Sequence, residues 1–223
     1  EILPSDWSSD VCSSDLLDPF EFEPDVELIG LDGETPAKVL RSLDAIVLPG
    51  SRNAAWDMAW LRETGLAERL CAFVEGGGSV FGLGGGFQMM GRRLEGLPSE
   101  NGPERTRGTD GLGLLPAFTD LGEEAGVARI SGKVNPKLVL GDISVEGYRT
   151  CVGRTQAEDG VSCVPLFFAE GRTEGLALPG LRVAGTCLCG VFENDRFRAL
   201  WLNALRNKRG LAERSAKDRK SVV

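Results

Sequence analysis

The stretch of this sequence built most like a catalytic turn is Ser79-Val-Phe-Gly-Leu-Gly-Gly-Gly-Phe-Gln-Met-Met-Gly91. An apolar pair, Val80-Phe81, runs into Gly82-Leu83-Gly84-Gly85-Gly86 and then into Phe87-Gln88-Met89-Met90. A buried strand, a turn that only glycine relieves of strain, and a short helix form the geometry of a nucleophile elbow. Such a turn lifts one side chain to the top of a sheet, over a helix N-terminus whose N–H groups stabilise an oxyanion. The apex here is Gly84, so the frame is present without a nucleophile. Phosphate binding is the other chemistry of a glycine-rich turn. It would need Gly where Phe87 stands, and the Lys-Ser/Thr pair of a P-loop is missing.

The remaining reactive side chains are defined first by an absence. The chain has no His, which removes Ser-His and Cys-His catalysis, His-ligated zinc and imidazole acid–base chemistry together. Its six cysteines are Cys12, Cys71, Cys151, Cys163, Cys187 and Cys189, none in a Cys-x-x-Cys pair. In an acidic α/β chain without a visible signal peptide they are expected to be reduced thiols. Cys187 and Cys189, two residues apart, face one way on an extended segment. Arg52 and Arg154 stand beside glycines, where a guanidinium could hold a carboxylate or simply remain solvated. Trp56, Trp60, Phe87, Met89 and Met90 read as core.

Elements that must position the turn are legible on both sides of it. Val26–Leu31 reads as a strand, Pro36–Leu43 as a short helix, and Asp44-Ala-Ile-Val-Leu-Pro-Gly50 as a short buried strand of the parallel-sheet type. Asn53 caps a helix through Leu61, and a second helix runs from Gly65 to Glu75, stopped by Gly76-Gly-Gly78. Residues Leu97–Asp110 read as a polar surface loop. Strands follow near Val127–Ile130, Val145–Thr150 and Val164–Phe168, then a strand and loop over Val183–Phe192. The last helix starts at Asp195 and carries Phe197, Leu200, Trp201 and Leu205 on one face. This is an α/β sandwich in one domain.

With 223 residues, 42% hydrophobic content and net charge −8, the chain has ample core and an acidic surface. The acidity argues against nucleic acid as a partner, and no apolar run approaches the roughly 20 residues of a membrane span. A cytoplasmic protein is expected. Both ends read as foreign to the fold: residues 1–16, with Asp6-Trp-Ser-Ser-Asp-Val-Cys-Ser-Ser-Asp-Leu16, and residues 218–223, Asp-Arg-Lys-Ser-Val-Val, resemble translated sequencing adapters. A genuine polar tail at each end is the alternative. Setting them aside removes Cys12 and leaves the chain acidic, with a domain over residues 17–213 and a short tail from 214.

Four separated blocks then resemble one family. Leu48-Pro-Gly-Ser-Arg-Asn53 with Asp57-Met-Ala-Trp-Leu-Arg-Glu-Thr-Gly-Leu66 is similar to a run in the glutamine amidotransferase domain of cobyric acid synthases. The elbow, Gly147-Tyr148 with Gly153-Arg-Thr155, and Gly185-Thr186 with Gly190-Val-Phe-Glu-Asn-Asp195 follow in the family's order. The resemblance implies a class I glutamine amidotransferase-like sandwich, with a mostly parallel central sheet flanked by helices. It also implies that a first strand, which would lie just before Leu17, is missing.

In that family a Cys attacks the side-chain amide of glutamine, with a His as base and then acid. The ammonia passes to an ATP-dependent, magnesium-using synthetase domain that amidates adenosylcobyrinic acid diamide in cobalamin biosynthesis. By the resemblance, the nucleophile position falls on Gly84, the catalytic His on Cys189, a further motif His on Cys151 and a Tyr on Cys187. Gly50 and Gly85 fall where oxyanion N–H groups are expected, and Gln88 and Tyr148 beside the glutamine pocket. Glutamine and the absent synthetase domain are the implied partners, with no cofactor in this domain. Loss of both Cys and His implies a glutaminase-inactive domain. A non-catalytic binding or interaction domain that keeps the fold, or a non-functional gene fragment, are the other readings. The resemblance brings Cys151 near the Cys187/Cys189 pair, leaving buried inert thiols, a disulfide and a soft-metal site all open. A substitute nucleophile at Cys189 would lack an imidazole to activate it.

Overall fold

The sheet forms around β2 (Ser79–Leu83), every residue of which is buried. On one side it pairs in parallel with β1 (Ala45–Leu48), and on the other with β13 (Val183–Thr186). The structure, a computed structural model, describes residues 16–51, 53–96, 98–99, 102–105, 108–122, 127–138, 142–149, 151–160, 162–169 and 171–215. The terminal adapter-like stretches, Cys12 and Arg52 lie outside these.

Beyond β13 the sheet continues through β12 (Arg172–Ala177), β11 (Val164–Ala169), β8 (Ala128–Val134), β9 (Ser144–Arg149) and β14 (Leu188–Cys189), giving eight strands in the order β1-β2-β13-β12-β11-β8-β9-β14. The expected α/β sandwich is present, with one correction. Within this sheet parallel pairing is confined to β1, β2 and β13, and every pairing from β12 outward is antiparallel. The cause is connection length. Short connections join β11 to β12 and β12 to β13, and such connections between neighbouring strands suit antiparallel pairing, whereas parallel strands need a crossover.

A second sheet, in the order β10-β7-β3-β6, is made of β10 (Arg154–Ala157), β7 (Ala117–Asp120), β3 (Arg93–Glu95) and β6 (Thr109–Asp110). The stretch Leu97–Asp110 is therefore more ordered than a loop. It holds β6 and a hairpin of β4 (Pro98–Ser99) with β5 (Gly102–Arg105). Val26–Leu31 is a further correction: it forms no strand, and Leu28 and Ile29 are exposed. Its alternating apolar residues find no ladder partner, because β1 ends the main sheet with only β2 beside it.

Helices cover the parallel part. After α1 (Ala37–Ser42), α2 (Ala54–Glu63) begins where the Asn53 side chain accepts a hydrogen bond from Trp56 N–H at 3.1 Å. Gly65, at φ 68°, turns the chain into α3 (Leu66–Glu75), which buries Leu66, Leu70 and Val74 against one face. The elbow helix α4 (Gly85–Met89) is buried throughout. The last helix, α5 (Asp195–Lys208), covers the opposite face with Phe197 and Trp201. These rings meet Phe20, Phe81 and Phe192 at centroid distances of 5.2–6.1 Å, close enough for edge-on and tilted contacts.

Two arginines of α5 fasten the early chain to this face. Arg198, 1% exposed, donates from Nε to Glu23 at 2.9 Å, from Nη2 to Asp195 at 2.7 Å and from Nη1 to the Phe192 carbonyl at 2.7 Å. Arg206 grips both oxygens of Asp25, at 2.8 and 2.9 Å. Removing one partner of a buried pair leaves the other charge unpaired, at a cost of about 3–5 kcal/mol. Arg198→Met should therefore lower stability by about 3 kcal/mol in chemical denaturation, the lower figure because Arg206 still lies 3.6 Å from Glu23. Adding Glu23→Gln should recover much of the loss, and a non-additive double mutant is the diagnostic result.

The same clamp sets an acid dependence. Hydrogen bonds from Arg206 hold the Asp25 carboxyl below the ordinary aspartate value of 3.8. A lowered folded value means stability that is fully present above 3.8 and lost as pH falls through the folded value. Asp25→Asn should flatten that part of the stability–pH curve. Identical acid limbs for the two proteins would remove Asp25 from the account.

Candidate functional site

The C-terminal end of β2 meets α4 at Gly84, whose backbone lies at φ 54° and ψ −122°. Its N–H donates to the Thr186 carbonyl of β13 at 2.9 Å, and its own carbonyl accepts from Gln88 N–H at 3.1 Å, so the turn is tied to the neighbouring strand and to its own helix. The glycines on either side are demanded by packing. A Cβ on Gly86 would overlap the Leu48 and Pro49 carbonyl oxygens, one on Gly85 would collide with Ser51, and one on Gly82 with Phe87 and Met90. Gly84 differs. A Cβ there would meet only Gly50 Cα at 3.4 Å and Cys151 Sγ at 3.8 Å, both ordinary contacts. The apex has room for a side chain and lacks one.

The side that such a side chain would face is closed by a disulfide between Cys151 and Cys187, with Cα atoms 5.7 Å apart. This corrects the expectation of reduced thiols for these two residues. The loop after β9 and the turn between β13 and β14 meet at the elbow, although 36 residues separate the cysteines in sequence. No spacing pattern announces such a pair. Cys189 follows on β14 opposite Tyr148 of β9. Away from the turn, burial pushes up the thiols of Cys71 and Cys163, making them poor nucleophiles. Among the described residues no group of three His, Cys, Asp or Glu side chains could hold a metal ion.

The other residues named from sequence fall around this turn with different assignments. Gly50 lies against the apex, and Gly85 opens α4 against Ser51. Gln88 is buried, and its Nε2 donates to the Val152 carbonyl at 2.6 Å, so its amide holds the disulfide loop. Tyr148 is about half exposed. Arg154 begins β10 on the surface. Three contacts had no signal in the sequence. The Asp57 carboxyl is pushed up by burial while a Ser51 hydrogen bond partly offsets this beside the elbow. Glu174 Oε1 accepts from Cys187 N–H at 2.8 Å and from Thr186 Oγ1 at 3.0 Å. Arg149 Nε lies 3.7 Å from Glu174 Oε2. A cavity of about 940 Å³ is lined by Phe87 and Cys187 together with residues of β8 to β12.

The fold has a counterpart among solved structures. A solved glutamine amidotransferase structure superposes with a TM-score of 0.58 over 86% of this chain and 91% of its own, at 17% identity, a likeness of fold. In sequence, the cobyric acid synthase of Syntrophobacter fumaroxidans is 36% identical over 86% of the chain and 38% of its own length. That of Paracoccus denitrificans is 37% identical over 87% of the chain and 38% of its own length. The chain thus spans about two fifths of these relatives. Residues 16–197 match the CobB/CobQ-like glutamine amidotransferase domain. The chain belongs to the CobB/CobQ-like glutamine amidotransferase domain family.

Proposed function

We propose that this is the amidotransferase-like domain of a cobyric acid synthase in which the glutamine site has kept its frame and lost its chemistry. The observation that carries the reading is the apex: an open position at Gly84 with no atom to attack a carbonyl. With no His in the chain, no imidazole is available to activate a neighbouring thiol or protonate a leaving amine. In this reading Gly50 and Gly85 retain the oxyanion position, Gln88 supports the pocket wall, and Cys189 stands where the base would be. The domain then serves as a docking or regulatory module for an ATP- and magnesium-dependent synthetase domain working on free ammonia. That partner would amidate the peripheral carboxylates of adenosylcobyrinic acid diamide. No residue of this chain is assigned to ATP or magnesium.

A second reading, a non-catalytic small-molecule binding domain, is favoured by the cavity beside the disulfide. Calorimetry with glutamine separates the two, since a retained pocket binds it and a repurposed one need not.

Ammonia release from glutamine should not exceed that of heat-killed protein, and release well above that control would overturn the inactive reading. Restoring the chemistry requires attention to the disulfide. Gly84→Cys alone sets a thiol beside Cys151 and invites exchange with the Cys151–Cys187 bond. The triple variant Gly84→Cys, Cys189→His, Cys151→Ser should raise glutaminase activity by about 10²-fold or more, given the orders of magnitude that loss of a covalent nucleophile commonly costs. No gain in a folded triple variant would show that more than these groups is missing.

A further inference from the structure

The cavity beside the elbow is lined by apolar groups, among them Ile130, Pro165 and Leu176, and by four arginines: Arg129, Arg149, Arg154 and Arg172. One carboxylate, Glu174, faces it. In a chain of net charge −8 this is a local reversal of sign. Arg129 is paired with Glu146 at 2.9 Å. Arg154 and Arg172 have no ion pair among the described residues. Arg149 donates from Nη2 to the Gly153 carbonyl at 3.2 Å, but its Nε is buried with no hydrogen-bond partner. A buried unsatisfied donor carries a desolvation cost that an incoming acceptor would relieve. Guanidinium groups suit carboxylate oxygens in particular, because their donor fork matches the two oxygens.

At the inner end of this cationic wall lies sulfur. Cys187 is among the residues that line the cavity and Cys151 is not, and Cys151 Sγ lies 3.8 Å from the Cβ position of Gly84. Of the two disulfide residues, Cys187 is thus the one that borders the cavity. Glu174 bridges the two features, accepting from the Cys187 N–H while facing Arg149.

We infer that the cavity is a binding site for a small carboxylate-bearing thiol, which opens the Cys151–Cys187 disulfide by attack on Cys187. The arginines hold the carboxylates and the apolar wall takes the carbon frame, which brings the ligand sulfur against Cys187 Sγ. The ligand thiolate gives its electron pair to Cys187 Sγ, and the Cys151–Cys187 bond breaks. The pair leaves on Cys151 Sγ, which takes a proton from water. The ligand sulfur is oxidised into a mixed disulfide on Cys187 and Cys151 is reduced, so electrons balance within the step. A second equivalent of the same thiol releases Cys187 and departs as its own disulfide. Opening frees the loop held by Gln88 at Val152 from the β13–β14 turn.

The test uses the full chain and three probes of graded charge: mercaptosuccinate with two carboxylates, neutral 2-mercaptoethanol and cationic cysteamine. Disulfide opening is followed by acid quench, alkylation and peptide mass mapping, with rates expressed per thiolate so that differences in thiol acidity drop out. Mercaptosuccinate should react about tenfold faster than 2-mercaptoethanol, with cysteamine slowest, the order that charge focusing in a cleft imposes. The advantage should shrink at high salt and in Arg154→Ser/Arg172→Ser, whose changes lie on exposed positions. The first adduct should map to Cys187. Equal rates per thiolate for the three probes, a first adduct on Cys151, or free alkylation of both cysteines before any thiol is added would each overturn the proposal. Each of these outcomes is independent of whether glutamine binds or is hydrolysed.

Discussion

Everything in this fold depends on how closely one helix approaches one strand end. The backbone of α4 lies against the Leu48–Ser51 segment after β1, so near that the carbonyl oxygens of Leu48 and Pro49 occupy the space of a Cβ at residue 86. Gly82 is held to glycine from the inside by Phe87 and Met90. Packing of this kind leaves no slack, because even one added carbon must displace backbone rather than a flexible side-chain tip. The consequence is positional: β1, β2 and β13 are locked in register around the turn, and whatever they carry at their C-terminal ends converges there. Sites in open α/β sheets form at those strand ends for the same reason.

Against that rigid turn the outer structure behaves as an attached wall. The antiparallel strands β8, β9 and β12 carry Arg129, Arg149 and Arg172, while β10, with Arg154, belongs to the second sheet. Three contacts among the described residues bring this wall to the elbow beside the β12–β13 ladder: the Cys151–Cys187 disulfide, the Gln88 amide at Val152, and Glu174 at Cys187. All three converge on the short segments 151–153 and 186–188. Besides the β12–β13 ladder, these two loops tie the wall to the elbow, and one covalent bond joins them directly.

The sequence made the turn legible because the glycine-rich run Gly82–Gly86 stands between apolar Val80-Phe81 and apolar Phe87, a pattern with few structural uses. Asn53 as a cap, the apolar stripe of α5 and the four family blocks were legible for the same reason, since local patterns dictate local geometry. What escaped was long-range. Arg149 with Glu174 and Glu23 with Arg198 are partners set by the fold over 25 and 175 residues, and nothing in their immediate neighbourhoods marks them; Cys151 came near Cys187 only through the family resemblance, which left the disulfide open among other readings. Val26–Leu31 shows the converse failure. Its alternation fits a strand, but a strand also needs a neighbour, and no neighbouring strand pairs with it here.

Gly84 itself has a consequence that reaches beyond the site. At φ 54° and ψ −122° an L side chain would hold its backbone in a sparsely populated region, at about 1–3 kcal/mol, whereas glycine takes that conformation freely. Over generations such a position acts as a one-way valve. A lineage that replaces the apex residue by glycine gains folding stability at the moment it gives up the side chain, and the return step must climb the same amount. Selection for stability alone would therefore keep the apex bare long after any pressure on the chemistry had ended.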